Sequence, residues 1–223
     1  GDSALMAHKR GNYITALGSG VMQSTVSASN AVAIGGYAGQ YVGHSKEAIN
    51  TTIVGDLAGQ YTTGSSNTFI GYVAGKGGTT SAPYSSGQYN VAVGAYAFDG
   101  LTTAGETTAI GYNAGGSITT GIRNVTVGAF SGDSLTTGTR NVALGLNALT
   151  ANTTGIENTS LGVYSLEANS TGNDNTAIGY RTLLANTTAN YNTAVGSDAL
   201  KANTTGTKNT GIGYEALEAT TTG

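Results

Sequence analysis

Polar and apolar positions alternate along the chain in short bursts, and each burst ends on glycine. Asn-Thr-Ala-Ile-Gly at 175–179, Asn-Thr-Ala-Val-Gly at 192–196 and Asn-Thr-Gly-Ile-Gly at 209–213 show the unit most clearly. Its terminal glycines are Gly18, Gly35, Gly55, Gly71, Gly94, Gly111, Gly128, Gly145, Gly162, Gly179, Gly196 and Gly213, spaced by 17, 20, 16 and 23 residues and then by 17 seven times. Self-similarity at a fixed step marks a repeat architecture. A period-two burst of branched aliphatic and Thr residues predicts a short strand in every copy.

Stacking the copies gives each column a character. The residue before the glycine is always Leu, Ile or Val (Leu17, Ile34, Ile178, Val195), and the residue two places earlier is Thr or Val (Thr15, Val32, Thr193, Thr210). These two columns share a strand face and predict the interior. The small column between them (Ala33, Ala92, Ala143, Ala177, Ala194) then faces outward with the Asn and Gly columns. A second apolar segment follows each glycine, as in Ala148-Leu149, Thr182-Leu183 and Ala199-Leu200, and then a turn such as Asn152-Thr153-Thr154-Gly155. The pattern predicts two short strands and two turns per repeat, one coil of a parallel β-solenoid of about twelve 17-residue coils. It fills a single repeat domain over 1–223, with irregular coils at 1–94 and regular ones at 95–223.

Stacked columns become ladders. Asn67, Asn90, Asn124, Asn141, Asn158, Asn175, Asn192 and Asn209 predict an amide ladder. Glu106 beside Arg123 and Arg140 beside Glu157 predict coil-to-coil charge pairs. A coil this small encloses few side chains, while ordering each residue costs about 1–2 kcal/mol. The small outer column would let chains pack closely, so a homotrimer is expected.

Composition narrows the function. Gly supplies 36 of 223 residues, Cys and Trp are absent, and charged residues make up 9%. A net charge of −3 offers no basic footprint for nucleic acid. The lack of cysteine excludes thiolate chemistry and disulfides. No apolar run approaches the roughly 20 residues of a membrane helix, so membrane insertion is not expected.

The Asn-Thr-Ala-Ile-Gly unit, with its Ala-Leu and Asn-Thr-Thr-Gly companions, resembles the repeats of bacteriophage tail fibres and related surface proteins. It is also similar to the Ala-Ile-Gly repeats in the heads of trimeric autotransporter adhesins. The resemblance spans residues 12–223. It implies a trimeric, left-handed parallel β-roll that binds surfaces, on a virion tail fibre or a bacterial cell surface. Adhesin heads use somewhat shorter coils, so the loops here are longer.

Catalysis is not expected, and neither is a cofactor or a metal. Asp99 and Asp133 share a column two coils apart, a coincidence that ladders generate freely. His8 and His44 are the only histidines. Sequons such as Asn152-Thr153-Thr154 are products of the turn sequence.

Two breaks in the rhythm are more informative. The stretches 36–50 and 72–90, the latter with the only proline, Pro83, exceed the standard coil and predict loops. Tyr37, Tyr41, Tyr61, Tyr72, Tyr84, Tyr89 and Tyr96 cluster with them, and His44, Lys46 and Glu47 add charge. Binding residues concentrate on loops over rigid scaffolds, and a tyrosine face suits a sugar ring. Tyr37, Tyr41, His44, Tyr72, Tyr84, Tyr89 and Tyr96 are therefore the candidate binding residues for a host cell-surface glycan or protein receptor. Two other readings are a passive fibre shaft and an ice-binding solenoid. The latter ranks lowest, because threonine pairs such as Thr136-Thr137 fall at turns.

Overall fold

The structure is a computed structural model that describes residues 1–44, 47–78, 81 and 84–222. It is all-β, with twelve strands, one per repeat: β1 Ile14–Leu17, β2 Ala28–Ile34, β3 Ala48–Val54, β4 Thr68–Ile70, β5 Val91–Val93, β6 Thr108–Ile110, β7 Val125–Val127, β8 Val142–Leu144, β9 Thr159–Leu161, β10 Thr176–Ile178, β11 Thr193–Val195 and β12 Thr210–Ile212. The chain divides into two compact units, Gly1–Thr120 and Gly121–Gly223, the first carrying β1–β6 and the second β7–β12.

Within each unit consecutive strands pair in parallel, and the register joins like to like. Val142, Ala143 and Leu144 lie beside Thr159, Ser160 and Leu161, and Thr176, Ala177 and Ile178 lie beside Thr193, Ala194 and Val195. This is the β-solenoid that the repeat predicts. Its strands end on a glycine whose φ lies near 130°, a region that L side chains avoid. A Cβ on Gly162 would sit 2.2 Å from the carbonyl oxygen of Gly179, so the neighbouring coil excludes a side chain as well.

The strand faces are the reverse of those expected. The small column is the interior: Ala33, Ala92, Ala109, Ala143, Ala177 and Ala194 are buried, and the aliphatic column is outside, with Ile178 39% exposed. The reason is the width of one coil. Leu149, Leu166, Leu183 and Leu200, from the segment after each glycine, already fill the coil and pack against Ala143, Ala177 and Ala194. A second large side chain from the strand has no room, because protein interiors are already close-packed. In the coil of Gly71 a glycine replaces that leucine and the sizes invert. Phe69 takes the strand's inward position above Gly75, where an added Cβ would come 2.4 Å from its ring.

The second segment is also not a strand. Leu166, Leu183 and Leu200 have φ of 49°, 50° and 50°, left-handed backbone that no strand adopts. Its coils are still tied together, since Leu166 N donates to Thr182 O at 3.0 Å and Leu183 N to Ala199 O at 3.1 Å.

The Asn ladder exists, but on the inside. Asn158 Nδ2 donates to Asn141 Oδ1 at 3.2 Å and to Gly172 O at 2.8 Å, while Asn158 Oδ1 accepts from Asn175 N and Nδ2 at 3.1 Å each. Asn67, Asn90, Asn124, Asn141, Asn175 and Asn192 are likewise buried. A buried amide is tolerable because each of its groups is paired in this way. Arg140 and Glu157 form the expected ion pair on the surface.

Candidate functional site

The first insertion leaves the ladder at one rung. Ser27 N donates to Gly43 O at 3.2 Å, and Ala48 N donates to Ser27 O at 3.2 Å, so Gly43 and Ala48 bracket the insertion on one rung. The second behaves alike: Gly78 N donates to Leu101 O at 2.7 Å and Ser85 N to Tyr61 O at 3.0 Å, so Gly78 and Ser85 are the rungs on either side of the insertion. Lys46 and Pro83 lie outside the described residues.

Tyr41 and Tyr61 each stand six residues after their coil glycine, in adjacent coils. Tyr84 returns over that corner and stacks on Tyr41 at 4.3 Å between ring centroids and on Tyr61 at 6.3 Å, with Tyr41 and Tyr61 themselves 5.6 Å apart. His44 meets Tyr41 and Tyr84 edge-on at 5.8 and 5.4 Å. Lys76 Nζ lies 5.8 Å from the Tyr61 centroid. Gln60, Gln40 and Gln23 form a short amide ladder in the same coils, through bonds of 2.9 and 3.1 Å. Burial and a hydrogen bond with Tyr41 push the Tyr84 hydroxyl above its usual range, so the group is neutral across physiological pH.

A cavity of about 560 Å³ opens beside His44, lined by Lys9, Arg10, Gly11, Val26, Ser27, Gly43, His44 and Glu47. Its walls are tight backbone. An added Cβ on Gly43 would fall 1.9 Å from Ser27 O, and one on Gly11 1.7 Å from Ala28 O. His44 Nδ1 lies 3.0 Å from Ser24 O, and Glu47 Oε1 accepts from Ser29 Oγ at 2.8 Å.

The structure thus unites three of the seven candidates, Tyr41, His44 and Tyr84, and adds Tyr61. Tyr72 and Tyr96 belong to another group, in which Tyr96 meets Tyr72 at 5.3 Å and Tyr112 at 6.0 Å. Tyr37 lies against Gly20, whose added Cβ would come 2.6 Å from its ring, and Tyr89 is 64% exposed. Lys9 and Arg10 were not singled out from the sequence. Their one signal is that the rung Arg10–Ser27 sits beside the first insertion.

Elsewhere, Asn152, Asn169, Asn186 and Asn203 are buried, so their sequons offer no amide to a modifying enzyme. Among the described residues no group of three or more His, Cys, Asp or Glu could hold a metal, and no helix is long and apolar enough to cross a membrane. The second unit carries an ion-pair cluster, with Arg181 Nε 2.9 Å from Asp198 Oδ1, and Lys201 Nζ 3.3 Å from Asp198 Oδ1 and 3.1 Å from Glu218 Oε1. Comparison with protein-family models, curated proteins and solved structures finds no match to this chain.

Proposed function

We propose that this segment is the receptor-binding part of a trimeric fibre or adhesin on a virion or bacterial surface, and that it holds host cell-surface glycan without catalysis. The observation that carries the reading is the convergence of two insertions on one aromatic corner. A ladder protein has no architectural need for Tyr84 to fold back over Tyr41. Stacked, neutral tyrosine faces beside polar amides are what a sugar ring requires, apolar on its face and hydroxylated at its rim. A glycan array probed with the intact chain and with a Tyr41→Ala/Tyr84→Ala variant tests it. Retained binding by the variant would overturn the reading and leave the segment a shaft.

The trimer rests on the outward columns. In the second unit Val142 and Leu144, Thr159 and Leu161, Thr176 and Ile178, and Thr193 and Val195 form a flat, largely aliphatic face, which exposed Leu146, Val163 and Tyr180 extend. Monomers rarely leave so continuous an apolar surface in water. Like faces of parallel chains would bury it around a common axis, in the left-handed β-roll that the repeat's resemblance implies.

One observation favours the ice-binding alternative. Thr159, Thr176, Thr193 and Thr210 stand in register on that outward face rather than at turns. A regular rank of hydroxyls and methyls is what an ice lattice would need. Thermal hysteresis from a monomeric preparation would support it.

A further inference from the structure

The cavity beside the tyrosine corner is cationic within an acidic protein. Lys9 and Arg10 line it against a single carboxylate, Glu47, in a chain of net charge −3. Glu47 is already engaged by Ser29 Oγ, whereas neither Lys9 nor Arg10 has an ion pair among the described residues. Two unpaired cations in one concave site are an unmet demand for an anion, and they raise its local concentration.

His44 joins the two features. The residue lines the cavity, and its ring packs edge-on against Tyr41 and Tyr84. With Nδ1 protonated, His44 donates to Ser24 O, and its other nitrogen is left as an acceptor for a hydroxyl. A ligand spanning both places therefore has a flat, weakly polar part for the tyrosines, a hydroxyl for His44 and an anionic group for Lys9 and Arg10. An acidic sugar has all three. The cavity of about 560 Å³ accommodates one or two sugar rings.

We infer that the site selects a carboxylate-bearing saccharide, its ring against Tyr41 and Tyr84 and its carboxylate between Lys9 and Arg10. The inference rests on the glycan-binding reading and specifies its ligand. Arginine is suited to the role because its planar fork matches a carboxylate.

The test is calorimetric titration of the intact chain with sialyllactose and a hyaluronan tetrasaccharide as acidic probes, and lactose and chitotetraose as neutral ones. The acidic probes are expected to bind about ten-fold or more tightly than the neutral ones, as charge-assisted hydrogen bonds would give. A Lys9→Gln/Arg10→Gln variant should lose that preference and keep its neutral affinity. It should fold normally, since the backbone of these residues, through bonds to Val26 O, makes the ladder contacts. Equal binding of acidic and neutral probes, or a preference that survives in the variant, overturns the charge assignment and leaves the stacking reading standing. An intact chain that binds none of the four overturns both.

Discussion

Ala177 is fully buried while Ile178, the next residue, is 39% exposed. The smaller side chain faces the coil and the larger faces away. Substitutions at the two positions should therefore fail in different ways. Ala177→Leu overfills a coil already occupied by Leu183 and Leu200 and should cost about 1–3 kcal/mol of unfolding free energy, read by denaturant melts. Ile178→Asp should leave the circular dichroism of the β-solenoid intact and shift light scattering from three times 22.1 kDa to the monomer. Unfolding of the Ile178→Asp chain would show that the aliphatic column supports the coil itself.

This reversal shows how far the sequence could be read. The glycine step located all twelve strands, because a glycine column with φ near 130° and no space for a Cβ is visible as composition. The alternation also separated the two strand faces correctly. Which face was inside did not follow, because the usual rule of large apolar residues inward presumes a core wider than one coil. The answer lay in Leu149, Leu166, Leu183 and Leu200, whose left-handed backbone disguised them as a second strand. At the candidate site the insertions were legible as breaks in the step. That Tyr84 returns to Tyr41 while Tyr72 and Tyr96 group with Tyr112 depends on which corner each insertion leaves, and spacing alone does not encode it.

Size matching across the coil gives a rescue experiment. Phe69 is buried above Gly75, and Leu183 packs with Ala177. Phe69→Ala alone should cost about 3–5 kcal/mol through the cavity it leaves. Gly75→Leu alone should clash with the Phe69 ring. Together they reproduce the Ala–Leu pairing of the regular coils, and Gly75 already has the φ of 55° that Leu183 tolerates at 50°. The double variant should melt above either single one. Strict additivity of the two losses would refute the size-matching account.

The Asn158 side chain makes four hydrogen bonds within the buried amide ladder. Asn158→Leu strands the Asn175 N–H without a partner in a dry interior, at about 1–3 kcal/mol, while the Gly172 carbonyl keeps its bond from Asn169 Nδ2. The melting temperature of the second unit should fall by several degrees or more. Thr154→Ala, at an exposed turn position, should leave it nearly unchanged.

Two carboxylates should give the second unit opposing pH dependences. Burial pushes the Asp198 carboxyl up, but Arg181 and Lys201 outweigh it and hold the group below its ordinary range. A depressed carboxyl stabilises the fold above its unfolded value, and that stability is lost as pH falls through the lower folded value. Asp174 is raised by burial and by the neighbouring Glu157, so its charged form is a penalty at neutral pH that acid relieves. Asp198→Asn should therefore lower the melting temperature at pH 7, with the deficit closing in acid. Asp174→Asn should raise it slightly at pH 7, with the gain closing in acid. Parallel pH profiles of the variants and the parent would refute both assignments.

The first insertion can be removed without touching a ladder rung. Gly43 and Ala48 both bond Ser27, and deleting 44–46 restores the standard 17-residue step. Closure entropy changes slowly with loop length, so stability should shift by no more than about 1 kcal/mol. The deletion takes away His44, the residue that joins the tyrosine stack to the cavity, and leaves Tyr41, Tyr61 and Tyr84 in the chain. Attachment to glycan-bearing surfaces should fall sharply while the solenoid's circular dichroism and melting temperature stay close to the parent's. A deletion variant that attaches as well as the parent would place recognition away from this corner. A variant that unfolds would show that the first insertion supports the scaffold.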